Sequence, residues 1–413
     1  MTAGTEILKG YKLTEVGVIP EDWEVKSAHE LAALRTGPFG TLLKASEYSE
    51  TDGVPVISVS EIRKGFLRIT ENTPRVSDAV IRRLPQYLVR KGDIVFGRKG
   101  GVDRSALIRE PQDGWFLGSD AMSLRPSAAS HDAYLALQFQ SGRVQGWLLQ
   151  HAIGTTMPSL NQSVLRNVAV PLPPAKAEQE AIAEALSDAD ALIESLGQLL
   201  AKKRQIKQGA MQELLTGKKR LLGFSGEWEV KRLGEICEIA MGRTPPRLIP
   251  EYWGRGHTWL SIADLRAKVV SESKEEITAL AASAMQLIPK GTLLMSFKLS
   301  IGRLCFAGRD LYTNEAICGF KGLKANADFL YYVLGRTDFS LYGKQAVKGC
   351  TLSSESLKQV EVPFPAETEQ SAIATLLSDM DAEIGALEVK LAKARRLKQG
   401  MMQDLLTGRI RLV

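Results

Sequence analysis

The sequence predicts an α+β chain. Two globular domains are each followed by a long helix, and the two helices pair as an antiparallel coiled coil with pseudo-two-fold symmetry. Three observations carry this. Residues 178–221 match 369–412 at a constant offset of 191, with 27 of 44 positions identical. The match continues upstream with one gap, GTTMPSLNQSVLRNVAVPLP (154–173) against GCTLSSESLKQVEVPFP (349–365). Each copy is also entered through a similar phrase, EDWEVK (21–26) and GEWEVK (226–231), so a complete unit of sequence occurs twice.

The elements follow in chain order. Residues 1–174 are expected to form the first domain, 175–217 a central helix, 218–365 the second domain and 366–413 a closing helix. The alternation in EDWEVK predicts a strand at a domain's start. Inside the domains the halves diverge, though landmarks survive: VRKGDIVFGRKGGVDR (89–104) answers IPKGTLLMSFKLSIGR (288–303). Pro173-Pro174 and Pro365 end extended segments, because proline disfavours helix in the residue before it.

Within the repeats, Ile182, Leu186, Ala189, Ile193, Leu196 and Leu200 are spaced in steps of four and three. So are Ile373, Leu377, Met380, Ile384, Leu387, Leu391 and Ala394. This is a seam for lengthwise helix pairing. Lys203 stands where Ala394 stands in the second copy, which weakens the first seam. Gly209 and Gly400 follow, each costing about 1 kcal/mol inside a helix, and predict a kink or a close packing contact. Gly217 and Gly408 stand where a helix C-terminus wants glycine.

Charge sets the direction of pairing. Each helix opens acidic (Glu178, Asp188, Asp190; Glu369, Asp379, Asp381) and closes basic (Lys203, Arg204, Lys207; Arg395, Arg396, Lys398). Parallel pairing would set like charge on like, whereas antiparallel pairing sets acid against base along the whole length. A helix of about 40 residues spans roughly 60 Å. The expected arrangement is therefore a two-helix rod carrying one globular domain at each end.

Composition bounds the function without fixing it. The net charge of +6 and pI near 9.0 fit an anionic partner, as they fit many soluble proteins. No run of 18 apolar residues marks a membrane span, and the opening MTAGTEILKGYKLTE lacks the apolar core of a secretion signal. Cys237, Cys305, Cys318 and Cys350 form no CxxC and are expected as free thiols in a cytoplasmic protein. The scattered histidines argue against a metal site. No GxxxxGK[ST] loop and no strand-linked GxGxxG is present, which removes phosphate-loop and dinucleotide chemistry. Glu24-x-Lys26 has the spacing of one nuclease metal motif, but its repeat Glu229-x-Lys231 has Gly226 where an acidic partner would help. A strand explains both. A non-catalytic protein is expected.

The strings GTTMPSLNQSVLRNVAVPLPPAKAEQEAIAEAL and GCTLSSESLKQVEVPFPAETEQSAIATLL resemble the signature of type I restriction–modification specificity (S) subunits. The openings LTEVGVIPEDWEV and GFSGEWEVKRLGEI do so too, and the match spans essentially the whole chain. The resemblance implies two target recognition domains of mixed α/β fold, each reading one half of a gapped, bipartite site in double-stranded DNA. It implies a coiled coil that sets the gap and docks two methyltransferase (M) subunits, with restriction/translocase (R) subunits joining that core in a prokaryotic cytoplasm. S-adenosylmethionine would belong to the M subunits, ATP and Mg to the R subunits, and no cofactor to this chain. The alternative from another class is a tandem-domain scaffold that binds protein without DNA specificity.

Candidate DNA contacts are cations, hydroxyls and amides in turns. In the first domain these are Lys44, Arg98, Lys99, Arg104, Thr155, Thr156, Ser159 and Asn161. In the second they are Arg243, Arg247, Arg255, Lys298, Arg303, Lys348, Thr351, Ser353 and Ser354. Loops that recur in both halves fit phosphate contact or helix capping. Base readers belong where the halves differ, at 36–50 and 242–259.

Overall fold

A computed structural model describes residues 9–154, 158–298, 300–346 and 349–412, with backbone alone at 344–346 and 349–351. The chain divides into two compact units: residues 1–196 with 390–413, and residues 197–389.

In the first unit, the strand Glu24–Ser27 pairs antiparallel with Ala169–Leu172. An early strand thus pairs with the last one before the helix, and the chain is delivered through Pro173-Pro174 into the helix Lys176–Leu214. The second unit repeats the device: Glu229–Arg232 pairs antiparallel with Glu361–Phe364, ahead of Pro365 and the helix Glu367–Leu405. This accounts for the suspect Glu-x-Lys pairs. Glu24 meets Lys26 at 2.9 Å and Glu229 meets Lys231 at 3.0 Å, on exposed strand faces.

The main sheet of the first unit is antiparallel, ordered Ala32–Thr36, Ala121–Pro126, Ile94–Gly97, Ser105–Leu107. That of the second is ordered Glu238–Met241, Ile317–Lys321, Leu293–Ser296, Leu304–Ala307, with Val269–Val270 added parallel at the edge. A smaller sheet accompanies each. In the first unit it holds Phe116–Leu117, Val54–Ile57, Arg75–Val76 and Tyr48–Ser49; in the second, Glu275–Ile277, Trp253–Leu260 and Tyr312–Thr313.

Helix pairing is antiparallel in each unit. In the first, Ile182, Ala183 and Leu186 share a core with Leu405 and Leu406, together with Trp23, Leu31 and Tyr134. In the second, Leu214 and Leu215 share a core with Ile373, Ala374 and Leu377, together with Phe329 and Tyr332. Of the expected seam, Ile182, Leu186, Leu200, Ile373, Leu377, Leu387 and Leu391 are buried, while Ile193, Leu196, Met380 and Ile384 are half-buried.

Two expectations are corrected. Lys203 does not simply weaken the seam: it is half-buried and bonds Glu383 at 2.6 Å. The close packing contact expected at Gly209 and Gly400 is not found among the described residues, since a Cβ at either would meet open space, and the helices run through both positions. Gly217 and Gly408 do take positive φ, 70° and 71°, where the chain turns away after each helix.

Cys237, Cys305 and Cys318 are free thiols, and burial pushes Cys237 and Cys305 up to about 12. No helix among the described residues is long and apolar enough to cross a membrane.

Candidate nucleic-acid interface

Several of the candidate residues, Arg98, Lys99, Arg104 and Ser159 in one unit and Lys298 and Arg303 in the other, lie beside a backbone corner that each unit builds the same way. In the first unit, Ala32–Thr36 ends at Gly37, whose N–H donates to Ala121 O at 3.0 Å. On the other side of Ala121–Pro126, the strand Ile94–Gly97 runs into Arg98, whose N–H donates to Asp120 O at 2.8 Å and whose carbonyl accepts from Leu160 N at 2.8 Å. In the second unit Gly242 N–H donates to Ile317 O at 3.1 Å, Phe297 N–H to Ala316 O at 2.9 Å, and Phe297 O accepts from Leu352 N at 3.3 Å. The corner needs glycine. An added Cβ would lie 1.8 Å from Gly118 O at position 37 and 2.2 Å from Asn314 O at position 242, with backbone that cannot swing aside.

Beyond the strand, the cation-bearing turn of the first unit closes on itself. Arg104 N–H donates to Gly101 O at 3.0 Å, and Gly97 N–H to Arg104 O at 3.2 Å. Lys99 bridges Ser159, and Gly100 N–H donates to Pro158 O at 2.9 Å. Lys99 is exposed and Arg104 half-buried. Arg98 is half-buried as well: its Nη1 donates to Ser119 O at 3.4 Å, and its guanidinium lies 5.6 Å from the centre of the Phe39 ring. In the second unit Arg303 closes the matching turn, its carbonyl taking Ser296 N–H at 2.9 Å, and Lys298 Nζ lies 5.4 Å from the Phe297 ring.

The polar candidates divide by what already holds them. Asn161 caps the helix Gln162–Arg166 by accepting from Val164 N at 2.8 Å. Ser353 caps Ser354–Lys358 by accepting from Ser356 N at 3.0 Å, with Ser354 the first helical residue. Both oxygens are spent on helix N–H groups. Ser159 forms a reciprocal 2.9 Å backbone pair with Ile153. Thr155, Thr156 and Lys348 lie outside the described residues, and Thr351 ends the strand Gly349–Thr351, paired with Lys344.

The two divergent segments behave differently. Lys44 is exposed, and its N–H donates to Glu47 Oε2 at 2.7 Å. Its loop is tied down by Arg83, which reaches Leu42 O at 3.1 Å and Glu47 at 2.7 Å and holds the Glu47 carboxyl down at about 2. Arg247 makes two bonds to Glu275, at 2.5 and 2.9 Å, and its guanidinium sits 3.8 Å from the centre of the Trp253 ring, so its charge is already answered. Glu275 is correspondingly held below the usual carboxylate range. Arg243 and Arg255 are exposed. Arg255 sits between Gly254 and Gly256 in a bulge where Trp253 and His257 both oppose Ile277.

A second set of residues, which no single-residue argument singled out, joins each domain to the helices. In the second unit the Glu369 carboxylate, 1% exposed, accepts from Arg220 Nε at 2.5 Å and Nη2 at 2.6 Å, and from Trp228 Nε1 at 3.1 Å. In the first, Glu178 pairs with Arg411, which also reaches Asp22 at 3.0 Å. Gln179 ties His131 N to the helix start (2.8 Å), and Gln370 does the same for Asn326 N (2.9 Å). Lys398 pairs with Asp190 at 2.6 Å, and Lys207 pairs with Asp381. Glu178 and Glu369, Arg220 and Arg411, Gln179 and Gln370, Asp190 and Asp381, and Lys207 and Lys398 are twins at the offset of 191. Their identity in both copies was the signal available in the sequence.

The relatives agree with this doubling. The model of the family "Type I restriction modification DNA specificity domain" matches twice, at residues 20–203 and 225–394. The type I restriction enzyme MjaVIII specificity subunit of Methanocaldococcus jannaschii is 25% identical, over 95% of this chain and 94% of its own length. Among solved structures, the S subunit of a type I restriction–modification system from M. genitalium aligns with TM-score 0.60 and 16% identity, over 98% of this chain and 99% of that one. A chain from a structure of a type I restriction–modification system aligns with TM-score 0.56 and 17% identity, over 95% and 99%. This chain belongs to the type I restriction–modification DNA specificity family.

Proposed function

We propose that each unit reads one half of a gapped, bipartite site in double-stranded DNA, and that the paired helices set the gap and dock two methyltransferase subunits. Restriction/translocase subunits complete the complex. S-adenosylmethionine then belongs to the methyltransferase subunits, ATP and Mg to the restriction subunits, and none to this chain. Its part is specificity rather than catalysis, exercised in the cytoplasm. The observation that carries this reading is a contrast within the repeat. The backbone corner and the domain-to-helix joint recur in both units, while the loops at 36–50 and 242–259 differ, beyond the corner glycine, in sequence and in the contacts that hold them. A common frame with two unlike readers fits an asymmetric target, whereas like readers would fit a palindrome. The family match favours DNA over the protein-only scaffold.

Cations at the shared corner, Lys99 and Lys298 above all, are suited to phosphate, which positions without specifying. Gly209 and Gly400, open on the helix surface, fit a partner that approaches the helices closely. The test is geometric. Four residues inserted within 195–205, with a matching insertion within 386–396, add about one turn to each helix. The expected result, read by long-read methylome sequencing of cells carrying the complex, is a longer gap between two unchanged half-sites. An unchanged gap rejects the reading.

A further inference from the structure

The corner of each unit also launches a loop that presents bulky apolar side chains to solvent. In the first, the chain leaves Gly37 and within five residues exposes Phe39 (60%) and Leu42 (46%). In the second, it leaves Gly242 and exposes Leu248 (95%) and Ile249 (37%). Burying such side chains is ordinarily favourable, and neither pair packs in a core cluster of its unit. Each is flanked by positive charge: Arg98 lies over the Phe39 ring with Lys99 one residue on, while Arg243 and Arg255 are exposed in the segment that holds Leu248.

We propose that Phe39 and Leu248 are specificity-determining residues that read bases by apolar contact, Phe39 in one half-site and Leu248 in the other. This rests on the DNA reading above. Apolar side chains discriminate bases by packing on the thymine methyl in the major groove, or by wedging at a base step in the minor groove. The surrounding cations bring a polyanion to the loop, and the apolar tip then meets what lies between the phosphate rows. A protein docking surface is the rival. Yet a subunit bound in two identical copies would meet the same surface twice, and these loops differ: a phenylalanine two residues past the shared glycine in one, a leucine six past it in the other. Two different half-sites require that difference.

The experiment uses the full chain assembled with its methyltransferase subunits. First the wild-type site is defined by methylome sequencing. Binding to DNA of that site and to random DNA is then measured at several salt concentrations for Phe39→Ala, Leu248→Ala and Lys99→Ala. Both apolar side chains are solvent-exposed, so their removal leaves the core intact, and co-purification with methyltransferase checks assembly. Phe39→Ala is expected to lower the preference for its own half-site about tenfold, with salt slope and assembly unchanged. Leu248→Ala does the same at the other half. Lys99→Ala instead lowers the salt slope by about one and leaves base preference alone. An unchanged preference in both apolar variants overturns the proposal. So does lost assembly with preference retained, the signature of a protein-docking surface. A wild-type complex with no preferred site overturns the DNA reading itself, before any variant is made.

Discussion

The joint between each domain and its helix is built twice with the same residues, yet the two copies are not equally insured. At Glu369 the buried carboxylate has two donors, Arg220 and the Trp228 indole. At Glu178 the equivalent carboxylate has Arg411, while Trp23 Nε1 is buried without a hydrogen-bond partner among the described residues. The first joint recovers an ion pair elsewhere, through Arg411 and Asp22. A duplicated fold thus keeps the buried charge and its arginine, since a buried carboxylate without a cation is costly, and lets the surroundings drift. The recognition loops show the opposite behaviour: past the shared glycine each is held by its own contacts, Arg83 on Glu47 in one and Arg247 on Glu275 in the other, and the two diverge.

The harshest way to break the shared frame is at its glycines. Gly37→Ala or Gly242→Ala forces a Cβ into facing backbone, at 1.8 and 2.2 Å. Each is expected to destabilise its unit by about 3 kcal/mol or more, the upper range for overpacking, read as a lower urea midpoint. Tolerance of alanine at both would show that the corner does not need glycine.

The joints come next and sharpen the comparison. Arg411→Ala leaves Glu178 buried with no donor, for an expected loss of about 3 kcal/mol. Arg220→Ala leaves Glu369 with the Trp228 N–H and should cost about 1 kcal/mol less. Urea denaturation of the two variants side by side decides it, and the reverse order would refute the role given to Trp228.

The smallest effect belongs to the twin pairs Lys398–Asp190 and Lys207–Asp381, partly exposed on the helices. Lys398→Ala or Lys207→Ala should cost below about 1 kcal/mol in low salt and less in high salt. Differential scanning calorimetry at two ionic strengths measures it.

Much of this was legible from residues alone. A repeat at fixed offset identifies a duplicated unit without any structure. Steps of four and three specify helices that pair lengthwise, and reversed charge along them specifies antiparallel pairing, because Coulomb energy depends on sign and order, both written in the chain. The Glu-x-Lys phrases were rightly assigned to strands by their alternation. Which candidates are free was not legible. Of the two readings the sequence left open for their loops, phosphate contact or capping, Asn161 and Ser353 take capping, and Arg247 is held by Glu275, 28 positions away. Each depends on a partner's coordinates, as does the exposure of Phe39 and Leu248, which in sequence look like ordinary core residues.

By itself, then, the sequence determined the doubling, the helices and their direction, because local periodicity and charge order carry that information. The tertiary structure alone decided which glycines admit no side chain, which carboxylates are buried with an arginine, and which apolar side chains face water. Those are properties of atoms brought together from distant positions, where burial and contact distance, rather than residue type, set the energy.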